Sequence, residues 1–313
     1  MANILLVVGR DPSEQEKYAV KNLAAQYTEY GHKAIVLNSA LIFLFVRLAF
    51  SNADVIDFHN SHSSLLIPLI KFLKRKTTII FSLHERAEFD PKKNFIKRSL
   101  IRIGTYLGVL FAHQVSTSQK NLQYFIYRRF SLLPKYIPQG VDIALPMRKR
   151  KYANRFLLIG EQNVFSKVLR TFKTNRQIKF IKADKNTFSS DNTLNIQKID
   201  AILILKHLYD LSVIRKIATY GLPIIAIETS EHKEVLRQNT IFVRDNTPKH
   251  TKEAIIELRK KYRPYSREGT RERKFISNLF GWEHITKEYL RLYRHSQIVE
   301  VQLDSLVKKE ALG

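Results

Sequence analysis

The chain has 313 residues, of which 44% are hydrophobic, contains no cysteine and carries a formal net charge of +25. This length suits two globular domains, and the lack of cysteine excludes disulfides and thiolate metal sites and favours a reducing compartment. The charge is spread evenly, with 22 basic and 10 acidic residues among residues 1–150, so a basic tail is excluded as its source. Such basicity favours an anionic partner: nucleic acid, an anionic membrane face or a phosphorylated substrate.

The first half of the chain alternates short apolar runs with helical patterns. The runs of strand length are residues 4–8, 34–37, 54–59, 78–83 and 114–116. Apolar residues at helical spacing lie between them, in residues 13–30, 63–74, 94–111 and 120–130. Strand and helix in alternation predict parallel pairing with crossovers, and therefore a doubly wound α/β sheet.

The second half repeats this alternation on a smaller scale. Residues 144–155 are polar, basic and aperiodic, so we expect a linker between a first domain (1–143) and a second domain (156–281). Strand-like runs follow at residues 155–160, 178–183, 201–205, 223–227 and 241–243, with helical patterns at 213–220 and 251–261. The amphipathic pattern of residues 275–293 predicts a continuous helix there, and residues 282–313 are expected to form the C-terminal helix and a tail.

The sequence predicts neither a secretory signal nor a membrane span. The apolar run at residues 4–8 is short and is followed by Gly-Arg-Asp-Pro, which is typical of a strand and its turn. The longest apolar stretch, residues 41–50, contains Arg47 and is shorter than the roughly 17–25 residues that span a bilayer. We therefore expect a cytoplasmic protein, peripheral to the inner membrane face if it meets a membrane.

Seven segments resemble, in order, the landmarks of the GT-B, group-1 (retaining) glycosyltransferases. They are ILLVV with the helix ending YGH and then AIVL, ADVIDFHN, TIIFSLHE, AHQVSTSQ, KYIPQGVD, IATYGLPIIA and GWEHITKEYLRLY. The resemblance covers most of the chain, and the IPQGVD segment at residues 137–142 is its most specific part. It implies two Rossmann-like domains with a cleft between them and a C-terminal helix that crosses back to the first domain.

The resemblance also implies a reaction. Such enzymes pass a sugar from a nucleotide-diphospho-sugar (UDP-, GDP- or TDP-linked) to a glycan or lipid-linked acceptor, with retention and without a metal or other cofactor. Cations near the start of the second domain stabilise the departing diphosphate in that family. In this chain we expect the residues that contact the donor or its phosphates to be among Lys167, Arg170, Lys216 and Gly221.

The chain departs from the family pattern in the second domain. Glu161 stands where the family usually has an arginine. The family also has two glutamates separated by seven residues, and Leu208 and Lys216 occupy those positions here. A lysine cannot accept a hydrogen bond from a ribose hydroxyl, so the usual donor contacts are lost. Another carboxylate, such as Asp210, Glu228 or Glu231, would have to replace them. With its small second domain and without the glutamate pair, the chain resembles a shortened and divergent member of the family.

In the first domain, His84 ends an apolar strand, where open α/β sheets place their ligands, and is the predicted catalytic residue. Gly9, Arg10 and Asn60 are the predicted acceptor or cleft-loop residues, and Arg10 suits an acceptor phosphate. His59 and His62 lack the further ligands that a metal site needs, so we predict no metal.

Residues 92–106 combine cationic and apolar residues at helical spacing, as interfacial helices do. The predicted membrane-facing residues are Lys92, Lys93, Lys97, Arg98 and Arg102. The alternative is a core helix with a basic outer face.

The leading hypothesis is a glycosyltransferase. Because the glutamate pair is missing, the main alternative is a non-catalytic GT-B relative that acts as a scaffold or partner of an active glycosyltransferase. A nucleic-acid-binding protein is suggested by charge alone and has no recognisable motif in this sequence.

Overall fold

The computed structural model describes residues 1–8, 12, 14–84, 94–143, 153–173, 177–183, 199–208 and 211–294. The predictions for Gly9, Arg10, Lys92, Lys93 and Asp210 lie outside these residues. The chain divides into two compact units, and the division falls between Gly140 and Val141 and again between Gly281 and Trp282. Residues 282–294 thus belong to the same unit as the amino-terminal half of the chain.

The first unit contains a six-stranded parallel sheet. Its strands are β1 (Asn3–Val7), β2 (Lys33–Leu37), β3 (Val55–Phe58), β4 (Thr78–Leu83), β5 (Gln114–Thr117) and β6 (Lys135–Tyr136). Their order in the sheet is β2-β1-β3-β4-β5-β6, and every pairing is parallel. The central strands β3 and β4 are buried along their whole length, as parallel strands covered on both faces are.

Helices cover both faces of this sheet. They are α1 (Glu14–Glu29), α2 (Leu41–Ala49), α3 (Ile67–Leu73), α4 (Phe95–Phe111), α5 (Lys120–Phe130) and α11 (residues 282–294). Apolar residues of α2, α3, α4 and α5 form one core with one face of the strands. Residues of α1 and α11 form a second core with the opposite face. Side chains alternate between the faces along each strand, so strands β1 to β4 contribute apolar residues to both cores.

The second unit contains a five-stranded parallel sheet. Its strands are β7 (Arg155–Ile159), β8 (Lys179–Lys182), β9 (Ala201–Ile204), β10 (Ile224–Ile227) and β11 (Thr240–Val243), in the order β11-β10-β9-β7-β8. The helices are α6 (Gln162–Thr171), α7 (Leu211–Thr219), α8 (Ser230–Val235), α9 (Pro248–Lys260) and α10 (Tyr262–Phe280). Two cores, one on each face, fill the space between sheet and helices. The predicted α/β class with two Rossmann-like domains is confirmed.

The prediction of one helix over residues 275–293 is wrong, because α10 ends at Phe280 and α11 begins at residue 282. Gly281 between them is extended and forms a parallel bridge with Val141. The Val141 N–H donates to the Phe280 carbonyl at 2.8 Å, which takes that acceptor from any continuing helix. Both helices bury apolar faces, so the apolar periodicity continues through the break. The periodicity therefore could not reveal where the first helix ends.

The IPQGVD segment lies at the division between the units. Ile137 is buried in the first unit's second core, whereas Val141 is buried in the second unit. Gly140 lies against the indole of Trp282, and a Cβ at residue 140 would lie 2.4 Å from that ring. This close approach explains the glycine. No helix among the described residues is both long enough and apolar enough to cross a membrane.

Candidate functional site

The order of the first sheet places a topological switch point between β1 and β3, because the chain leaves β1 for β2 on one side and reaches β3 on the other. Open α/β sheets bind ligands outside the carboxyl ends of the strands at such a point. His59 and Asn60 follow β3, and His84 follows β4. The predicted site residues Asn60 and His84, together with His59, therefore lie at this edge of the sheet.

Asn60 is held at the switch point by the first helix. Its side-chain N–H groups donate to the carboxylate of Glu16 at 3.1 and 3.2 Å, and its Oδ1 accepts the backbone N–H of His62 at 2.8 Å. Glu16 is 4% exposed. Asn60 thus fixes the turn after β3 relative to α1, whereas the loop predicted to lie beside it, with Gly9 and Arg10, is outside the described residues.

A buried polar network lies behind the histidines. Asp57 of β3 is paired with Ile80 of β4, and Ser82 of β4 is paired with Ser116 of β5. Their side chains therefore share the face covered by α1 and α11. Ser82 donates to Asp57 Oδ1 at 2.7 Å, and Ser116 donates to Ser82 Oγ at 2.9 Å. All three residues are at most 1% exposed. The middle of three central strands is therefore polar on one face.

Tyrosines from both covering helices complete this network. Tyr293 on α11 donates its hydroxyl to Asp57 Oδ2 at 2.8 Å. Tyr27 on α1 lies 2.8 Å from the Tyr293 hydroxyl and must be the donor of that pair, because the proton of Tyr293 is directed to the carboxylate. Burial raises the pKa of Tyr27 and of Tyr293 well above the ordinary value, with the Asp57 charge adding to it. Both hydroxyls therefore remain protonated donors.

Asp57 is buried as a charged carboxylate. Burial alone would raise its pKa, but the charge of His59 and hydrogen bonds from His59, Ser82 and Tyr293 lower it below the ordinary value. A buried charge is tolerated when donors surround it in this way. The carboxylate in turn faces a histidine, since His59 Nε2 lies 3.3 Å from Asp57 Oδ2.

His59 joins the carboxylate to His84. The two imidazole rings are stacked with an interplanar angle of 9°, and His59 Nδ1 lies 2.8 Å from His84 Nε2. Burial first, and then the charge of His59, lower the pKa of His84 to about 3. His84 is therefore a neutral imidazole with one N–H and one lone pair.

The hydrogen bond between the two rings couples their protons. When His59 Nδ1 donates, His84 Nε2 accepts and the proton of neutral His84 is on Nδ1; when His59 Nδ1 carries the lone pair, His84 Nε2 donates and the lone pair of His84 is on Nδ1. His84 Nδ1 is buried and has no hydrogen-bond partner among the described residues. The chain Asp57–His59–His84 thus ends in a buried ring nitrogen, His84 Nδ1, at the carboxyl edge of the sheet.

The backbone of His84 is held by the loop after β5. Ser118 Oγ and Gln119 Nε2 donate to its carbonyl at 3.2 and 3.0 Å. His84 is 3% exposed, so its ring is fixed from both sides. A buried, oriented ring nitrogen of this kind can position a hydrogen-bonding group of a ligand.

The second sheet has its switch point between β7 and β9. Glu161, the residue before α6, follows β7, and Lys206 and His207 follow β9. Lys167 and Arg170 lie on the exposed side of α6, Lys167 in its middle and Arg170 in its last turn. Because α6 starts at the carboxyl edge of the sheet, Lys167 is the nearer of the two to the switch point.

Lys216 and Gly221 lie at the other end of the sheet. Lys216 is in the last turn of α7, and Gly221 precedes β10, so the two do not join Lys167 at the carboxyl edge. Gly221 has a φ of +65° and contacts Gly269 of α10, where a Cβ on Gly269 would lie 2.3 Å from the Gly221 carbonyl oxygen. This glycine pair permits close packing of α10 on the turn.

Leu208 and Lys216 occupy the positions of the family's glutamates. Leu208 packs partly buried against one core of the second unit, and Lys216 is half-buried. Two carboxylates do lie at the carboxyl edge: Glu228 follows β10 and is paired with Lys233, and Glu231 is in the first turn of α8. Asp210, the third carboxylate considered, lies outside the described residues.

Sequence reasoning missed the part played by Asp57, His59, Tyr27 and Tyr293. A charged residue inside the otherwise apolar run of β3 was the available signal, because a buried central strand rarely carries an unpaired carboxylate. Among the described residues no group of three His, Asp or Glu side chains is arranged to hold a metal ion.

The sequence matches no protein-family model and no curated protein. Its fold, however, is similar to that of solved structures. HepE of Anabaena, solved with UDP, is 11% identical with a TM-score of 0.64, covering 94% of this chain and 100% of HepE. A glycosyltransferase of Rickettsia africae is 11% identical with a TM-score of 0.61, covering 94% and 98%. A putative UDP-N-acetylglucosamine 2-epimerase of Listeria monocytogenes is 10% identical with a TM-score of 0.52, covering 92% and 95%.

Proposed function

Premised on the two-domain Rossmann-like GT-B fold, we propose that the protein transfers a sugar from a nucleotide-diphospho-sugar to a hydroxyl of a glycan or lipid-linked acceptor, with retention. The observation that carries the proposal is the chain Asp57–His59–His84, which ends at the carboxyl edge of the first sheet in His84 Nδ1, a buried ring nitrogen with no hydrogen-bond partner in the described part of the chain. HepE, which has this fold, was also solved with UDP-glucose, and this similarity supports a UDP-linked donor.

In this reaction the acceptor oxygen forms a bond to the anomeric carbon, and the bond from that carbon to the diphosphate oxygen breaks. The acceptor hydroxyl forms a hydrogen bond with His84 Nδ1, which orients the oxygen toward the anomeric carbon. Because the pKa of His84 is lowered to about 3, its neutral ring does not take up a second proton near neutral pH. His84 therefore orients the hydroxyl, and the departing diphosphate takes up the proton.

The donor contacts are proposed at the carboxyl edge of the second sheet. Lys167 and Lys206 are cations near that switch point and suit the diphosphate. Glu228 and Glu231 follow β10 at the same edge and can accept hydrogen bonds from sugar or ribose hydroxyls. These two carboxylates would replace the glutamates missing at Leu208 and Lys216.

The primary experiment is calorimetry of the whole chain against UDP-, GDP- and TDP-sugars. Binding of one nucleotide class supports the proposal, and Lys167→Gln is expected to weaken it by about tenfold, as loss of one charge-assisted contact does. Turnover is then measured as release of the nucleoside diphosphate in the presence of a lipid extract. Failure of every donor to bind would contradict the proposal.

Two substitutions of His84 separate its two nitrogen atoms. Asparagine reaches the position of Nδ1 but not that of Nε2, whereas glutamine reaches the position of Nε2 but not that of Nδ1. We expect His84→Asn to retain more turnover than His84→Gln, with donor affinity unchanged in both. The reverse ranking would assign the function to Nε2 and remove the orienting role of Nδ1.

A second candidate function is a non-catalytic partner of an active glycosyltransferase. It is favoured by Leu208, which packs against a core where the family has a glutamate. This function predicts a stable fold without donor binding, so the same calorimetry distinguishes the two.

A further inference from the structure

The two helical layers on the first sheet differ in their outer surfaces. Helices α2, α3, α4 and α5 cover one face of the sheet, and we call them the α2–α5 layer. Helices α1 and α11 cover the other face. Both layers bury apolar residues against the strands, so only their outward side chains distinguish them.

The α2–α5 layer exposes many large apolar side chains. Phe43 and Phe72 are each 70% exposed, and Phe95 is 76% exposed. The full set on these helices is Ile42, Phe43, Val46, Leu69, Phe72, Leu73, Phe95, Ile96, Leu100, Ile103, Leu110, Phe111, Tyr124 and Tyr127. On the opposite layer Tyr30, directly after α1, is the one large apolar residue so exposed among the described residues.

Charge divides the layers in the same way. The four helices of the α2–α5 layer contain eight basic residues and no acidic residue within their described bounds. Helices α1 and α11 together contain five basic and five acidic residues. The evenly spread net charge of the sequence is therefore not even on the surface of this unit.

The four helices of the α2–α5 layer contact one another in turn. Lys71 of α3 donates to the Phe111 carbonyl at the end of α4 at 3.0 Å. Tyr106 of α4 and Phe130 of α5 meet edge to face with ring centroids 5.0 Å apart. Lys74, after α3, donates to the Ser51 carbonyl, just after α2. Each helix is thus joined to the next.

Cations lie along the apolar surface and not apart from it. The Arg128 guanidinium lies 5.3 Å from the centroid of the Tyr124 ring, and that of Arg129 lies 5.7 Å from the Tyr106 ring. Long basic side chains on an apolar surface bury their stems and direct their charges to its polar boundary. That boundary in a bilayer is the layer of lipid headgroups.

We infer that the α2–α5 layer docks on an anionic lipid bilayer, with the exposed Phe, Leu and Ile side chains entering the acyl boundary and the basic residues contacting the headgroups. An apolar patch whose four helices hold no acidic residue within their described bounds, and whose cations are interleaved with it, complements a surface that is apolar beneath and negative above. The inference extends the predicted site at Lys97, Arg98 and Arg102 from one helix to four. It is independent of the proposed sugar transfer, because docking needs no nucleotide-sugar.

The test is co-sedimentation of the whole chain with phosphatidylcholine vesicles, with and without phosphatidylglycerol. We expect binding to the anionic vesicles only, weakening as salt rises. The triple variant Arg47→Gln/Arg98→Gln/Arg102→Gln should bind on the order of a hundredfold more weakly, since each cation near the surface contributes about fivefold. The variant Phe43→Ser/Phe72→Ser/Phe95→Ser should lose more than tenfold at every salt concentration.

Matched controls carry the same changes outside the layer. The charge control removes three cations from α1 and β2 with Lys17→Gln/Lys21→Gln/Lys33→Gln. The apolar control removes exposed apolar groups elsewhere with Tyr30→Ser/Ile256→Ser/Leu279→Ser. All six residues are at the surface. Both controls should bind as the unaltered chain does. Equal loss in the charge control would show nonspecific attraction and overturn the inference. Absence of vesicle binding, or concentration-dependent self-association lost in the phenylalanine variant, would also overturn it.

Discussion

Glu272 on α10 offers a quantitative test of the second unit's packing. It is 5% exposed; its Oε1 accepts the Arg237 backbone N–H at 3.1 Å, and its Oε2 has no hydrogen-bond partner among the described residues. Burial raises the pKa of Glu272 from 4.5 to about 7, although hydrogen bonds from the backbone of Arg237 and Asn239 oppose the rise. The side chain is thus neutral in the folded protein under mildly acidic conditions.

The consequence for stability has a definite sign. Below pH 4.5 both folded and unfolded chains hold the proton, so Glu272 costs nothing. Between pH 4.5 and about 7 only the folded chain holds it, so the free energy of unfolding falls as pH rises. Each pH unit of this interval lowers the free energy of unfolding by about 1.4 kcal/mol. Above pH 7 the protein has therefore lost about 3 kcal/mol of stability relative to pH 4.5.

The substitution Glu272→Gln keeps the shape and removes the titration. Urea denaturation of both proteins, at several pH values from 4.5 to above 7, measures the difference in their free energies of unfolding. We expect the variant to gain about 3 kcal/mol relative to the unaltered chain across this range. Glu253→Gln, on the exposed side of α9, is the control and should show no such gain. A difference for Glu272→Gln that does not change with pH would refute the reasoning.

Three further predictions concern the first unit. Gly140→Ala would place a Cβ 2.4 Å from the Trp282 ring and should cost about 1–3 kcal/mol of stability with a shifted indole emission; unchanged urea midpoint and emission would contradict this. Tyr293→Phe removes a 2.8 Å donor from the Asp57 carboxylate and should cost about 1.5–3 kcal/mol in thermal or urea unfolding, whereas a neutral effect would show that the bond adds nothing. The pKa of His84, lowered from 6.5 to about 3, makes the unfolded chain bind a proton first as pH falls. Stability is therefore lost from pH 6.5 down to about 3, and His84→Asn should flatten that loss in acid titrations followed by circular dichroism.

The fold was predictable because the strands are buried on both faces. Residues 78–83 were predicted as a strand and form β4 with those bounds, since a short run of Ile, Phe and Leu between polar turns has few alternatives. The turn at Gly281 was not predictable, because the reason for it is a hydrogen bond from Val141 to the carbonyl of Phe280, two residues that lie far apart in the chain. Helix α10 was missed at its start because Pro264 and Gly269 are unfavourable in helices, although Pro264 lies in the first turn, where proline is tolerated.

The candidate site was predictable only in part. His84 was identified from its place at the end of a strand, which is a local property. The bond from Tyr293 to Asp57 joins residues 236 positions apart, and no spacing rule relates them. The tautomer of His84 depends on that network. Sequence reasoning could therefore name the residue but not the atom that it presents.

The return of α11 to the first unit has a consequence for how the chain is made. During synthesis, residues 1–140 emerge without Tyr289 and Tyr293, which close one face of the first sheet. Until then Asp57 lacks the Tyr293 donor and the second core lacks the part of its cover that α11 supplies, so the nascent first unit is incomplete. The second unit, continuous from Val141 to Gly281, has all its own described strands. The last helix thus makes completion of the first domain conditional on translation of the second, and a chain truncated before Trp282 would leave an open, polar-cored sheet for quality control to recognise.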